Sequence, residues 1–174
     1  MKTIVIYKSK TGFTKKYAEW IGEALSADIF DVSKVDINIV TDYDTVIYGG
    51  SLYAGGIIGV KYITKNLDKI KGKKVVVFAT GASPSSDEVI REVKDKNFTL
   101  QEQKHLQFFY LRGGFDYSKI NPFDKALMTL LKWKIKMKKE LTPEAKGMLA
   151  MYDKPIDFTL RKNIDEIITY VNSK

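Results

Sequence analysis

Apolar residues fall into two rhythms that take turns along the chain. Thr3-Ile4-Val5-Ile6-Tyr7 is a short unbroken apolar run, as a strand covered on both faces requires. Phe13, Tyr17, Trp20, Ile21, Ala24 and Leu25 then recur at helical spacing. Residues 27–32 predict a second strand, less apolar and so at an edge. Residues 45–51 predict a third, running into Gly49-Gly50. Val60, Ile63, Leu67 and Ile70 mark a helix that Gly72 ends. The most apolar strand is 74–80, with Val75-Val76-Val77-Phe78, and a helix over about 86–96 turns Val89, Ile90 and Val93 inward. A fifth strand covers about 105–111. Leu160, Ile164, Ile167, Ile168 and Val171 place a last helix over 158–171.

Strands alternating with helices of this length imply βαβ units and a parallel sheet. With right-handed crossovers the natural closure is an α/β doubly wound sheet of five strands, with helices on both faces. A chain of 174 residues without internal repeats or a low-complexity linker reads as a single domain over 1–174. One segment breaks the alternation. More than forty residues separate the fifth strand from the last helix, too many for a plain connection. They hold a helical pattern over 123–139 and a shorter one after Thr142-Pro143, so about 116–155 reads as an inserted helical segment.

Composition narrows the chemistry. Without cysteine there is no disulfide, thiolate metal site or cysteine nucleophile, and His105 alone cannot form a histidine metal cluster. No metal site is expected. No signal pattern precedes Thr3 and no apolar run reaches membrane-spanning length, so a cytoplasmic protein is expected. The net charge of +8 is uneven. Residues 118–147 carry eight lysines against Asp124, Glu140 and Glu144, a net +5 that leaves +3 elsewhere. Such a segment is either a solvated lysine face or a surface for an anionic partner. No nucleic-acid motif accompanies it, and no nucleic acid is expected as partner.

In a parallel doubly wound sheet, ligands bind beyond the carboxyl ends of the strands. Three loops meet there. After the first strand comes Ser9-Lys10-Thr11-Gly12-Phe13-Thr14, with three hydroxyls and a glycine entering a helix. It is either a helix cap or a cradle for one terminal phosphate. It lacks the glycine spacing of a dinucleotide fingerprint and the Gly-Lys-Ser/Thr ending of a triphosphate loop. After the third strand, Ser51-Leu52-Tyr53-Ala54 carries an aromatic on a small-residue loop. After the fourth, Thr80-Gly81-Ala82-Ser83 offers backbone that a ligand can approach. A phosphate cradle, a stacking aromatic and a small-residue loop together describe a site for a flat, phosphorylated ring.

These motifs resemble the flavodoxin family. Thr11, Gly12 and Thr14 match its hydroxyl-rich phosphate loop, and the resemblance implies FMN as cofactor and a strand order of 2-1-3-4-5. Leu52 and Tyr53 would then flank the ring, with residues 80–83 on its other side. The acidic, aromatic-rich fourth loop of electron-carrying flavodoxins is missing here. A closer resemblance, over nearly the whole chain, is to the flavodoxin-like, quinone-dependent protoporphyrinogen dehydrogenases. It rests on Gly50-Ser51-Leu52-Tyr53-Ala54-Gly55, on Leu111-Arg112-Gly113-Gly114-Phe115-Asp116-Tyr117, and on Phe123-Asp124-Lys125-Ala126-Leu127-Met128.

Two redox functions follow, beside a non-catalytic module whose basic insertion binds an anionic surface. The first is an FMN oxidoreductase passing electrons from a small organic substrate to a quinone or similar acceptor. The second is a one-electron carrier between redox partner proteins, which charge disfavours because ordinary flavodoxins are acidic. No catalytic side chain is identified. Tyr53, Arg112 and Tyr117 are candidates to line the substrate side. On a helical wheel of 123–139, Phe123, Ala126, Leu127, Leu130, Leu131, Trp133, Ile135 and Met137 oppose Lys125, Lys132, Lys136 and Lys139. That pattern predicts either a helix packed on the sheet beside the flavin or a helix on an anionic membrane surface, the latter placing the protein peripherally on a membrane's inner face.

Overall fold

The computed structural model describes residues 2–137, 140, 142, 146–147, 149, 152 and 154–173. Its elements run β1 (Thr3–Lys8), α1 (Phe13–Leu25), β2 (Asp28–Asp31), α2 (Ile37–Val40), β3 (Thr45–Tyr53), β4 (Gly56–Ile57) and α3 (Lys61–Thr64). They continue with β5 (Lys74–Gly81), α4 (Asp87–Asn97), β6 (Gln107–Arg112), β7 (Gly114–Phe115), α5 (Pro122–Lys136), β8 (Ile156–Asp157) and a last helix, α6 (Asp165–Asn172). Five parallel strands lie in the order β2-β1-β3-β5-β6, the expected 2-1-3-4-5 once the short β4 is set apart. β4 folds back antiparallel on the end of β3.

Alternation along the central strands separates two cores, because successive side chains leave opposite faces of a sheet. Ile4, Ile6, Val46, Tyr48, Val75, Val77 and Ala79 share one face with Val93 of α4. Val5, Ile47, Val76 and Phe78 share the other with Tyr17 and Ile21 of α1 and Ile167 and Val171 of α6. The Phe78 ring fills the space over Gly49, where an added Cβ would lie 2.2 Å from its tip. Both faces are therefore buried along β3 and β5, which is why these strands read as continuous apolar runs.

Two expected helices are shorter than their periodicity. After Val60, only Lys61–Thr64 is α-helical. Asn66 turns its amide back onto the Tyr62 carbonyl at 2.8 Å, and tighter turns follow to Gly72, with Lys69 N–H bonding Asn66 O at 2.9 Å. The last helix also begins late. Phe158 N–H donates to Gly113 O at 2.9 Å and Thr159 N–H to Asp157 Oδ1 at 2.8 Å, holding residues 158–160 extended until a 3₁₀ turn, Arg161–Ile164, leads into α6.

The insertion leaves and returns at one place. β7 and β8 pair antiparallel, Gly114 with Asp157 and Phe115 with Ile156, so the ribbon brackets residues 116–155. Gly114 is required there by space alone, since a Cβ would meet Ile156 O at 2.2 Å. Asn121 caps α5 by accepting from Asp124 N–H at 2.8 Å, and Pro122 occupies the first turn. Lys138 and Lys139, the end of the predicted 123–139 helix, lie outside the described residues, as does most of the shorter pattern beyond Pro143. Asp124 and Ile135 are buried on the inner face of α5, while Phe123, Leu127, Leu130, Trp133 and Met137 are exposed. The apolar face of this helix points outward.

Candidate functional site

Register places the three loops side by side. Lys8 of β1 lies beside Gly50 of β3, Ser51 beside Thr80 of β5, and Gly81 beside Arg112 of β6. All four strands therefore end at one edge. A hydroxyl network then ties the loops together. Thr14 is fully buried, and its Oγ1 lies 2.8 Å from Ser51 Oγ and 2.6 Å from Thr80 Oγ1. Ser51 Oγ also accepts from Lys10 N–H at 3.2 Å. Thr14 thus stitches the loop of β1 to the ends of β3 and β5.

The turn into α1 keeps its donors available. Gly12 sits at the N-cap with φ 96°, in the left-handed region that glycine enters without strain, and no side chain caps the helix. Gly12 N–H itself bonds Ser9 Oγ at 3.1 Å. An uncapped helix start beside the Thr11 hydroxyl suits a small anion. The cap reading of Thr11 and Thr14 is thereby excluded.

The loop after β3 is a tight hairpin. Ala54 and Gly55 have φ 49° and 77°, the paired left-handed conformation of a two-residue turn into β4. The end of α4 clamps it: Lys96 Nζ donates to Ala54 O at 2.8 Å, and Asn97 Nδ2 to Gly55 O at 2.9 Å. Tyr53 projects from this hairpin, partly exposed. On the third loop, Tyr110 OH donates to Ser83 O at 2.9 Å and Gly113 N–H to Gly81 O at 2.7 Å, so β6 pins residues 81–83.

A cavity of ≈ 180 Å³ opens between these loops, lined by Lys10, Thr11, Phe13, Ser51, Leu52, Tyr53, Thr80, Gly81 and Ala82, and closed by Gly114, Phe115, Ile120, Asp124 and Met128. Ser9, Gly12, Thr14, Ala54 and Ser83 are outside this lining, and of them Thr14 is bonded to the lining residues Ser51 and Thr80. Arg112 and Tyr117, read as substrate-side candidates, are not part of this lining, although Arg112 Nε donates to the lining residue Ala82 at its carbonyl oxygen, 3.3 Å away. The Arg112 guanidinium lies 3.6 Å over the Phe158 ring, and Tyr117 OH lies 2.9 Å from Thr129 Oγ1 on α5. A larger cleft of ≈ 880 Å³ follows the outer edge of β6 between the starts of α4 and α6, reaching Pro84 and Ser85 directly after the third loop.

The residue that sequence reasoning passed over is Asp124. Only 5% exposed, it accepts from Tyr53 OH at 2.8 Å, from Asn121 Nδ2 at 2.8 Å and from Lys10 Nζ. Lys10 Nζ also lies 3.7 Å from the Tyr53 ring centre. The Lys10 ammonium, and after it the Tyr53 hydroxyl, hold the Asp124 carboxyl below the usual carboxylate range. The same hydrogen bond raises Tyr53 above the ordinary phenol. A signal was present, since Asp124 is the only acid in a lysine-rich helix.

A parallel doubly wound sheet with a phosphate-sized cradle at its carboxyl edge defines a flavodoxin-like protein. A family model described as Flavodoxin domain matches residues 4–142, and the chain belongs to that family, whose cofactor, FMN, it binds. The chain is 36% identical over 100 residues to an uncharacterized protein of Methanocaldococcus jannaschii, a match covering 55% of this chain and 65% of that one. It therefore spans just under two thirds of that relative's length. Among solved structures it is similar to the flavodoxin, WrbA-like protein from Agrobacterium tumefaciens, at 20% identity over 61% of this chain and 74% of that one, with TM-score 0.47. It is also similar to a flavodoxin from the domain Archaea, at 19% identity over 88% and 97%, with TM-score 0.43. The residues fit FMN, because an uncapped helix start beside the Thr11 hydroxyl suits one terminal phosphate.

Proposed function

We propose that the protein is an FMN-dependent oxidoreductase of the protoporphyrinogen dehydrogenase type, moving electrons from a small organic substrate to a quinone. The start of α1, with Ser9, Lys10, Thr11, Gly12, Phe13 and Thr14, would hold the phosphate. Leu52 and Tyr53 would flank one side of the ring, and Thr80, Gly81, Ala82 and Ser83 the other. When bound, FMN supplies the redox chemistry, and the protein governs access and orientation. The observation that carries the reading is α5. One helix both borders the cavity, through Asp124 and Met128, and turns an apolar face outward. A lipid-soluble acceptor held at that face would be close to the flavin. Anaerobic reductive titration of the FMN-loaded protein tests this. A single two-electron stage is expected, and two well-separated one-electron stages would favour the carrier function instead.

The same reading places the protein peripherally on an anionic membrane. Phe123 is 77% exposed and Trp133 71%, on a face shared with Leu127, Leu130 and Met137. A second copy docked there would set one basic segment against another. Anionic lipid instead matches both the apolar face and the charge, with each lysine near such a surface contributing ~1 kcal/mol. Among the described residues no helix is long and apolar enough to cross a membrane. Flotation with vesicles containing phosphatidylserine should carry the protein upward at low salt and release it at high salt. Binding that survives replacement of Lys134 and Lys136 by glutamine, or no binding at low salt, overturns this placement.

A further inference from the structure

Lys10, Tyr53 and Asp124 come from three separate segments: the loop after β1, the hairpin after β3, and the first turn of α5. They meet at the rim of the cofactor cavity. Both carboxylate oxygens of Asp124 are used, Oδ1 by Tyr53 OH and Oδ2 by Lys10 Nζ and Asn121 Nδ2. A buried carboxylate needs such partners, and Lys10 supplies the compensating charge. With these contacts made, the cavity measures ≈ 180 Å³, below the ~300 Å³ at which small-molecule sites ordinarily begin. A flavin ring therefore needs more room than the closed arrangement leaves.

Helix α5 forms one wall of this cavity, through Asp124 and Met128. Its outer face carries Phe123, Leu127, Leu130, Trp133 and Met137 into solvent. Its inner face is fastened by Ile135, by Tyr152 OH donating to Met128 O at 2.8 Å, by Tyr117 beside Thr129, and by Asp124. Of these, Asp124 alone joins α5 to the two loops that would grip the cofactor.

We propose that Asp124 is the positioning residue of the cofactor site. It draws Lys10 and Tyr53 together beneath the first turn of α5, and FMN enters when this junction opens. The inserted helix is then a lid as well as a surface, and the junction sets how often the lid is open. The inference rests on the FMN reading for its binding arm only.

The test uses the full chain and two readouts. Hydrogen exchange of α5 amides is measured first, on flavin-free protein. Asp124→Asn keeps the side-chain volume but removes the charge, and should speed exchange in the first turns of α5 by about tenfold, because the fraction of open lid rises. FMN association, followed by quenching of flavin fluorescence after rapid mixing, should accelerate by a similar factor, since only the open fraction is competent. Lys10→Gln should likewise speed α5 exchange, whereas its FMN association also reflects the loss of a cation from the phosphate loop. The double variant should exceed neither single one, because both remove one contact. Lys10 is exposed, so Lys10→Gln carries the test if Asp124→Asn does not fold. Unchanged α5 exchange in a folded variant overturns the proposal. So does faster exchange with FMN association unchanged or slower, which would make Asp124 a mere wall support. If the wild-type chain binds no FMN, the FMN reading fails while exchange alone still decides whether Asp124 holds the lid.

Discussion

Alanine in place of Phe78 lowers the free energy of unfolding by about 3–5 kcal/mol, the range for emptying a buried aromatic site. Phe78 is fully buried at the middle of β5, between β3 and the helices α1 and α6. Its ring lies against Gly49, which has no side chain to move into the void. Neighbouring strands are held by the sheet's hydrogen bonds, so collapse is limited to side-chain shifts. Against a total stability of about 5–15 kcal/mol for domains generally, this is a large fraction. Phe78 also stands two residues before Thr80, so the variant should lose flavin along with stability. Urea unfolding followed by circular dichroism measures the effect. A shift equivalent to less than about 1 kcal/mol would mean that the core repacks around the gap.

Loss of two hydroxyls at the start of α1 should be felt most in cofactor affinity. Thr11→Ala with Thr14→Ala is expected to weaken FMN binding by about 2–6 kcal/mol, corresponding to roughly thirtyfold to roughly twenty-thousandfold in Kd. The two residues act differently. Thr11 lines the cavity and would donate to a phosphate oxygen. Thr14 is buried behind it, and its hydroxyl is the shared partner of Ser51 and Thr80. Removing Thr14 leaves both of those hydroxyls short of a partner, so three loops lose their common anchor. Thr11→Ala alone should weaken FMN without lowering stability, whereas Thr14→Ala should lower both. Flavin fluorescence titration beside urea unfolding separates the two effects. An unchanged FMN affinity in the double variant would remove the phosphate role from this loop.

The parallel sheet was legible because its strands are buried on both faces, and double burial leaves unbroken apolar runs at 3–7, 45–49 and 75–78. Helix lengths were less legible. Val60, Ile63, Leu67 and Ile70 keep a helical spacing, yet a chain of tight turns can bury residues at similar intervals, and the Asn66 amide bonding Tyr62 O favours those turns. Three of the loops at the carboxyl edge were visible as hydroxyl, aromatic and small-residue stretches. Their joint placement followed from the topology rule.

From its sequence alone, this chain is determined as a doubly wound α/β protein with an inserted basic, amphipathic helix, because periodicity and loop chemistry are local properties, while its flavodoxin character came from the resemblance of its loops to that family. The roles of individual side chains were decided only in three dimensions. Thr14, read as a phosphate donor, turns inward to bond Ser51 and Thr80, residues 37 and 66 positions away. Asp124 meets Lys10 across 114 positions and Tyr53 across 71, and no local pattern encodes contacts so distant. The outward turn of α5's apolar face is likewise tertiary. A helical wheel identifies two faces, but tertiary contacts such as Asp124 reaching Lys10 and Tyr53, and Ile135 reaching the interior, determine which face looks at the protein.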